Sequence, residues 1–163
     1  RILTIYEGTT GIQGLDLAGR KTLTDNGEAL RELLDEMQAT ANDMSTVESL
    51  AAMAVSLRQA VHSGGDALAW LLDNAKHDHH AAGAASVNFM MLLGYICGGW
   101  IMGQSALKAA RLLDGGTGDE AFLRAKQVTV QFYFDHFLPR TLSHLASIKS
   151  GSDSMMALDA EQF

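Results

Sequence analysis

Residues 5 to 13 read Ile-Tyr-Glu-Gly-Thr-Thr-Gly-Ile-Gln, an order of residue types suited to moving a proton beside a bound ligand. Glu7 supplies a carboxylate, Tyr6 an aromatic wall next to it, and Gly8 a stretch of main chain that a ligand can approach closely. Thr9 or Thr10 offers a hydroxyl to cap the helix that follows, whose first amides favour an anionic group. Two readings fit these residues. One is a capped helix start with a surface acid in front of it. The other is a general base at the edge of an acyl or phosphate site.

Other chemically able residues give less. His77-Asp78-His79-His80 has metal-binding residue types, but neighbours on a helix point in different directions and no i, i+4 partner lies nearby. The group reads as a solvated helix terminus. His136 and His144, eight apart, share one side of a helix without an acid to pair with them. The lone cysteine, Cys97, sits between Ile96 and Gly98 in an apolar stretch and reads as a small buried hydrophobe, with no metal site expected. There is no glycine-rich dinucleotide fingerprint, no P-loop and no nucleophile elbow.

The elements that must position Glu7 are helical. One proline, eight methionines and an abundance of Ala and Leu predict an all-α chain, and no stretch alternates with a period of two. The first helix is expected from about Thr10 to Leu23, with Ile12, Leu15 and Ala18 or Gly19 on one face. After a turn at Thr24 to Gly27, a second helix covers about Glu28 to Asn42, with Leu30, Leu33, Leu34, Met37 and Ala41 on one face and Arg31, Glu32, Asp35 and Glu36 on the other. Ser45-Thr46-Val47-Glu48 has the form of a capping box opening a long helix to Lys76 or His77, with a kink allowed at Gly64-Gly65.

A further helix runs from about Ala81 to Leu113 and ends at Gly115-Gly116. Thr117-Gly118-Asp119-Glu120 forms a second capping box for a last long helix, through Phe122, Val130, Phe134, Phe137, Leu142 and Leu145 to about Lys149, bent at Pro139. Met155, Met156, Leu158 and Phe163 of the tail are expected to pack back on the bundle. The architecture implied is an antiparallel bundle of four long helices preceded by a short helix that bears Glu7.

From Ala81 to Leu107 no charged residue occurs, a length that raises a membrane span. Ser86, Asn88, Gln104 and Ser105 and the glycines of that stretch suit a central helix in a bundle better than lipid. With 47% hydrophobic residues, 19% charged residues and a net charge of −7, the chain of 163 residues has material for one core and no basic patch for nucleic acid. The single cysteine permits no internal disulfide, which fits a reducing cytoplasm. No signal peptide is visible, and a sequence opening on Arg1 with a functional-looking motif at its start is expected to be the C-terminal piece of something longer.

Arg1, Ile5, Tyr6, Glu7, Gly8, Thr9, Ile12 and Gln13 carry a resemblance to the glutamate-bearing stretch near the C-terminus of acyl-CoA dehydrogenases. The continuation from Gly14 to Lys21 is similar to a subgroup with an extra helical domain, which includes broad-range bacterial enzymes and methylmercaptopropionyl-CoA dehydrogenase. The motif covers about the first 23 residues.

The resemblance implies an FAD-dependent flavoenzyme of β-oxidation that desaturates an acyl-CoA thioester between Cα and Cβ. In it Glu7 is the catalytic base, Gly8 lies against substrate, and Thr9 and Gln13 lie near the FAD. Gly11 departs from the glutamine or glutamate common in many members, which removes a side-chain contact there. The resemblance further implies residues 1–25 as the end of the catalytic domain and 26–163 as the appended bundle. It implies a homo-oligomer passing electrons to electron-transfer flavoprotein or a similar acceptor, in a bacterial cytoplasm and with no membrane span. The isolated chain, lacking the rest of the pocket, is expected neither to hold FAD tightly nor to turn over substrate. The alternative is a non-catalytic helical module for oligomerisation or partner docking.

Overall fold

The structure, a computed structural model, describes residues 9–162, and every regular element among them is helical. Helix α1 (Thr9–Leu15) continues without a break into a π-helical stretch, Asp16–Leu23. Then come α2 (Glu28–Ser45), a 3-10 turn (Glu48–Leu50) leading into α3 (Ala51–Asn74), α4 (Ala81–Asp114), α5 (Glu120–His136), α6 (Arg140–Lys149) and a 3-10 turn at Ala160–Gln162.

Helix α4 is the centre of the fold and packs against all the others. Its Phe89, Leu92 and Ile96 meet Met37 and Met44 of α2, Leu57 and Leu71 of α3, Val130 of α5 and Ile148 of α6 in one fully buried cluster. A β-carbon at Gly64 of α3 would touch Ile96, and one at Gly99 or Gly103 of α4 would lie within 3.6 Å of Leu57. Those pairs set α3 and α4 in opposite directions. Mean hydropathy over the most apolar part of α4 is 1.4, long and apolar enough to cross a bilayer. Here that helix packs against every other helix along one side, a third of its most apolar stretch is buried, and among its large apolar side chains Val87, Met91 and Ile101 face outward.

The second helix buries Leu34, Met37 and Ala41 and exposes Arg31, Glu32, Asp35 and Glu36, as its spacing requires. The turn before it is closed by Asp25, which accepts from the Gly27 amide at 2.9 Å and the Ala29 amide at 3.0 Å. Those amides, Ala29 first, hold the Asp25 carboxyl below its usual range. Gly27 takes φ 75°, which glycine adopts without steric cost.

Several expectations need correction. Ile12 and Leu15 are 67% and 51% exposed, and the buried line of the first helix is Gly14, Ala18 and Thr22. Of the expected face Ala18 is buried as read, while the rest of the line is made of small residues, Gly14 and Thr22, which carry no hydrophobic signal. Thr9 and Thr10 fall within the described helix, and the residues ahead of it lie outside the described residues.

Ser45 and Thr46 give no capping box either. Their hydroxyls donate back to the Asn42 and Asp43 carbonyls, finishing α2 while α3 starts later. The cap of α5 is Asp119, whose carboxylate accepts from the Phe122 amide at 3.1 Å, while Thr117 bonds back to Leu112. Pro139 separates α5 from α6 where a bend was expected, because its ring lacks the amide the ladder needs. Gly64-Gly65, by contrast, does not interrupt α3: Gly64 is filled in by Leu34 and Ile96. In the tail, Met155, Met156 and Leu158 are all more than half exposed and do not pack back on the bundle; Phe163 lies outside the described residues.

Candidate functional site

Glu7 and Gly8 lie outside the described residues. What the structure gives is the helix that immediately follows them and the bed on which it rests. Helix α1 lies on the first turns of α4, and at their crossing the two main chains nearly touch. A β-carbon built on Gly14 would stand 3.0 Å from both the carbonyl carbon and oxygen of Ser86 and 3.2 Å from the Val87 nitrogen. Ser86 is buried and donates its hydroxyl to the Gly83 carbonyl at 2.8 Å, so its buried side chain is satisfied.

The opposite side of α1 is open. Thr9 and Gln13, four residues apart, share one exposed edge and present a hydroxyl and an amide outward, beside exposed Ile12. Further along, Arg20 forks onto Asp16, donating to Oδ1 at 2.5 Å and to Oδ2 at 3.0 Å. That bond keeps the Asp16 carboxyl below its usual range. It lies across the wide turns of the π-helical stretch, a form of helix frequent at functional sites.

Beneath that stretch, α2 and α4 enclose an apolar groove of about 420 Å³. Leu17, Leu30, Leu33, Met90, Leu93 and Cys97 line it. Burial pushes the Cys97 thiol up, which leaves it un-ionised at neutral pH and a poor nucleophile. The small-hydrophobe reading of Cys97 stands, although the side chain is half-buried rather than fully enclosed.

The histidines sort differently from their sequence pattern. In the loop at residues 77–80 the organising group is Asp78. It accepts from the His80 amide at 2.8 Å and the buried Ser152 hydroxyl at 2.5 Å, tying the start of the tail to the α3–α4 connection. The Ser152 hydroxyl, before the His80 amide, lowers the Asp78 carboxyl. No three metal-ligating side chains come together among the described residues.

His136 is exposed, whereas His144 is drawn to α4: its Nδ1 lies 2.9 Å from Asn88 Oδ1 and its ring stacks on Tyr95 at 5.6 Å. Burial first, and Arg140 second, push the His144 imidazole below its usual value. Arg140 donates to the Tyr95 hydroxyl at 3.2 Å and stands 4.7 Å over the Phe137 ring. This constellation escaped the sequence reading. Its only signal was the pairing of an i, i+7 couple, Asn88 and Tyr95, with an i, i+4 couple, Arg140 and His144.

Comparison with known proteins places the chain. The family described as "Acetyl-CoA dehydrogenase C-terminal like" matches residues 33–159. The chain belongs to that all-helical family of acyl-CoA dehydrogenase C-terminal domains. Among curated relatives, the 3-methylmercaptopropionyl-CoA dehydrogenase of Ruegeria pomeroyi is 38% identical over 96% of this chain and 26% of its own length. A broad-specificity linear acyl-CoA dehydrogenase of Mycobacterium tuberculosis is 32% identical over the whole chain and 28% of its own length. A butyryl-CoA dehydrogenase of Syntrophomonas wolfei is 27% identical over the whole chain and 27% of its own length. The chain therefore spans about a quarter of the length of the relatives it matches, 26–28%.

Proposed function

We propose that this chain is the C-terminal part of an FAD-dependent acyl-CoA dehydrogenase in which Glu7 removes the α-proton of an acyl-CoA thioester. The observation that carries the reading is the segment from Arg1 to Gln13, in which Glu7 stands two residues before Thr9 in sequence and the helix from Thr9 keeps its polar edge, Thr9 and Gln13, open. The names of the relatives, all of them acyl-CoA dehydrogenases, support it.

The chemistry asks for few residues. A thioester α-proton is weakly acidic, so the base must stand within hydrogen-bond reach of it and in a dry site that raises the carboxylate pKa. Glu7 takes that proton, and Gly8 leaves room for the thioester beside the main chain. The chemistry FAD supplies when bound is acceptance of the β-hydride, which leaves the α,β-unsaturated thioester as product. Thr9 and Gln13 fit a polar cofactor edge, since both offer hydrogen-bonding groups from one exposed side of α1.

Residues 1–25 then close the catalytic domain and residues 26–163 form the appended bundle. The whole protein works in a bacterial cytoplasm as a homo-oligomer, with electron-transfer flavoprotein or a similar acceptor. By itself the chain lacks most of the flavin and acyl pocket and is inactive. The test compares the full-length protein with residues 1–163 alone, reading flavin absorbance and acyl-CoA oxidation. The full-length protein is expected to be yellow and active, and the isolated chain colourless and inactive. A flavin-loaded, active preparation of the isolated chain overturns the division of labour.

A further inference from the structure

We propose that Gly14 is a positioning residue for Glu7, acting through the main chain of Ser86 on α4. The inference rests on the reading of Glu7 as the base. Three observations carry it.

The first is the nature of the contact. A β-carbon on Gly14 would meet backbone atoms, at 3.0 Å to the Ser86 carbonyl group and 3.2 Å to the Val87 nitrogen. Side chains at that distance turn aside, but the main chain of a helix cannot. Ser86 and Val87 stand three and two residues before Phe89, which is fully buried in the cluster that holds α4 to the other helices. Of the two partners, α1 is the one that would have to move.

The second is transmission. Thr9 to Leu15 is one unbroken helix, so a displacement at Gly14 is passed along it toward Thr9. Glu7 is two residues further back. Rotation about the helix axis offers no escape, because Ala18 and Thr22 continue the same buried line, at 0% and 4% exposure.

The third is a contrast within the same helix. Glycines also stand at 11 and 19, and a β-carbon at either would meet nothing within 4 Å. Absence of a side chain is therefore a requirement at Gly14 in particular. The appended bundle thus supplies a fixed stop for the helix behind the base, and with it a way to influence chemistry it does not touch.

The test uses the full-length, flavin-loaded protein and reads kcat, KM for acyl-CoA and flavin per chain. Gly14→Ala is expected to lower kcat several-fold, because contacts of 3.0 to 3.2 Å call for a shift well short of the about 1 Å that costs roughly 10²-fold, and to lower it by more than it changes KM or flavin content, since Thr9 and Gln13 shift with the same helix. Gly19→Ala should leave all three as they are. Glu7→Gln, run in parallel, separates the two claims. If it keeps turnover, the reading of Glu7 as base fails. If it abolishes turnover while Gly14→Ala keeps its kcat, the positioning role alone fails. Should Gly14→Ala not accumulate as folded flavoprotein, Ala18→Gly loosens the same seam without adding an atom. A drop in kcat at constant KM in that variant supports the role, and an unchanged kcat overturns it.

Discussion

Where α2, α3 and α4 meet, Met37, Leu57, Phe89, Leu92 and Ile96 fill the space with bulk. Where α1 meets α4, Gly14, Ala18 and Thr22 bring two main chains together with almost no side chain between them. The first region is stabilised by apolar surface taken out of water, and its cohesion is shared among many contacts. The second buries little, and what it provides is an exact height for one helix above another. Large apolar residues on α1 are not absent, since Ile12 and Leu15 are there, but they face away from α4. Bulk holds the bundle together, and small residues set the place of the helix behind Glu7.

That contrast can be broken or sharpened by substitution. Phe89→Ala empties the centre of the bundle and should cost about 3–5 kcal/mol, read as a fall in the urea midpoint of the isolated chain. A polar contact of the same region comes next. Trp100 Nε1 donates to Thr40 Oγ1 at 2.7 Å across α2 and α4, so Thr40→Val leaves a half-buried indole N–H without its acceptor. The cost should be about 1–3 kcal/mol. Ile12→Ser or Leu15→Ser, on the outer side of α1, should move the same midpoint by no more than about 0.5 kcal/mol. A large loss there would mean that the outer side of α1 is built like the core.

The seam between α4 and α6 gives a pH signature. The His144 imidazole is held below its ordinary value of 6.5, so the unfolded chain binds a proton there before the folded one does. Stability from this group is present above pH 6.5 and falls as pH drops below it, towards the folded value. The slope in that window should flatten in His144→Gln, measured as urea midpoint against pH. A second decline belongs to Asp16, Asp25, Asp78 and Asp66, the last accepting from the Lys149 ammonium at 2.7 Å, all held below 3.8 in the folded chain, and should survive the substitution.

The two regions also differed in how far the sequence disclosed them. Periodicity found α2 and its buried Leu34, Met37 and Ala41 because those side chains enter the core on an ordinary α-helical repeat. It placed Ala18 of the first helix correctly but misread Ile12 and Leu15, because the buried line there is made of glycine, alanine and threonine, which carry no hydrophobic signal. The capping boxes failed for a local reason: Ser45, Thr46 and Thr117 hydroxyls found carbonyls of the preceding helix first. Glu7 is proposed as the base from its neighbours in sequence and lies outside the described residues. The bed beneath Gly14 was not legible, since Gly14 and Ser86 lie on different helices and neither residue type announces a contact.

The central claim is that Glu7 is the base whose position the seam maintains. The direct measurement is acyl-CoA oxidation by the full-length protein carrying Glu7→Gln, with bound flavin counted in the same sample. Turnover should fall by at least the ~10²–10⁴-fold of a lost general base while flavin content stays at the wild-type level. Turnover at the wild-type rate in a fully flavin-loaded Glu7→Gln protein would contradict the account.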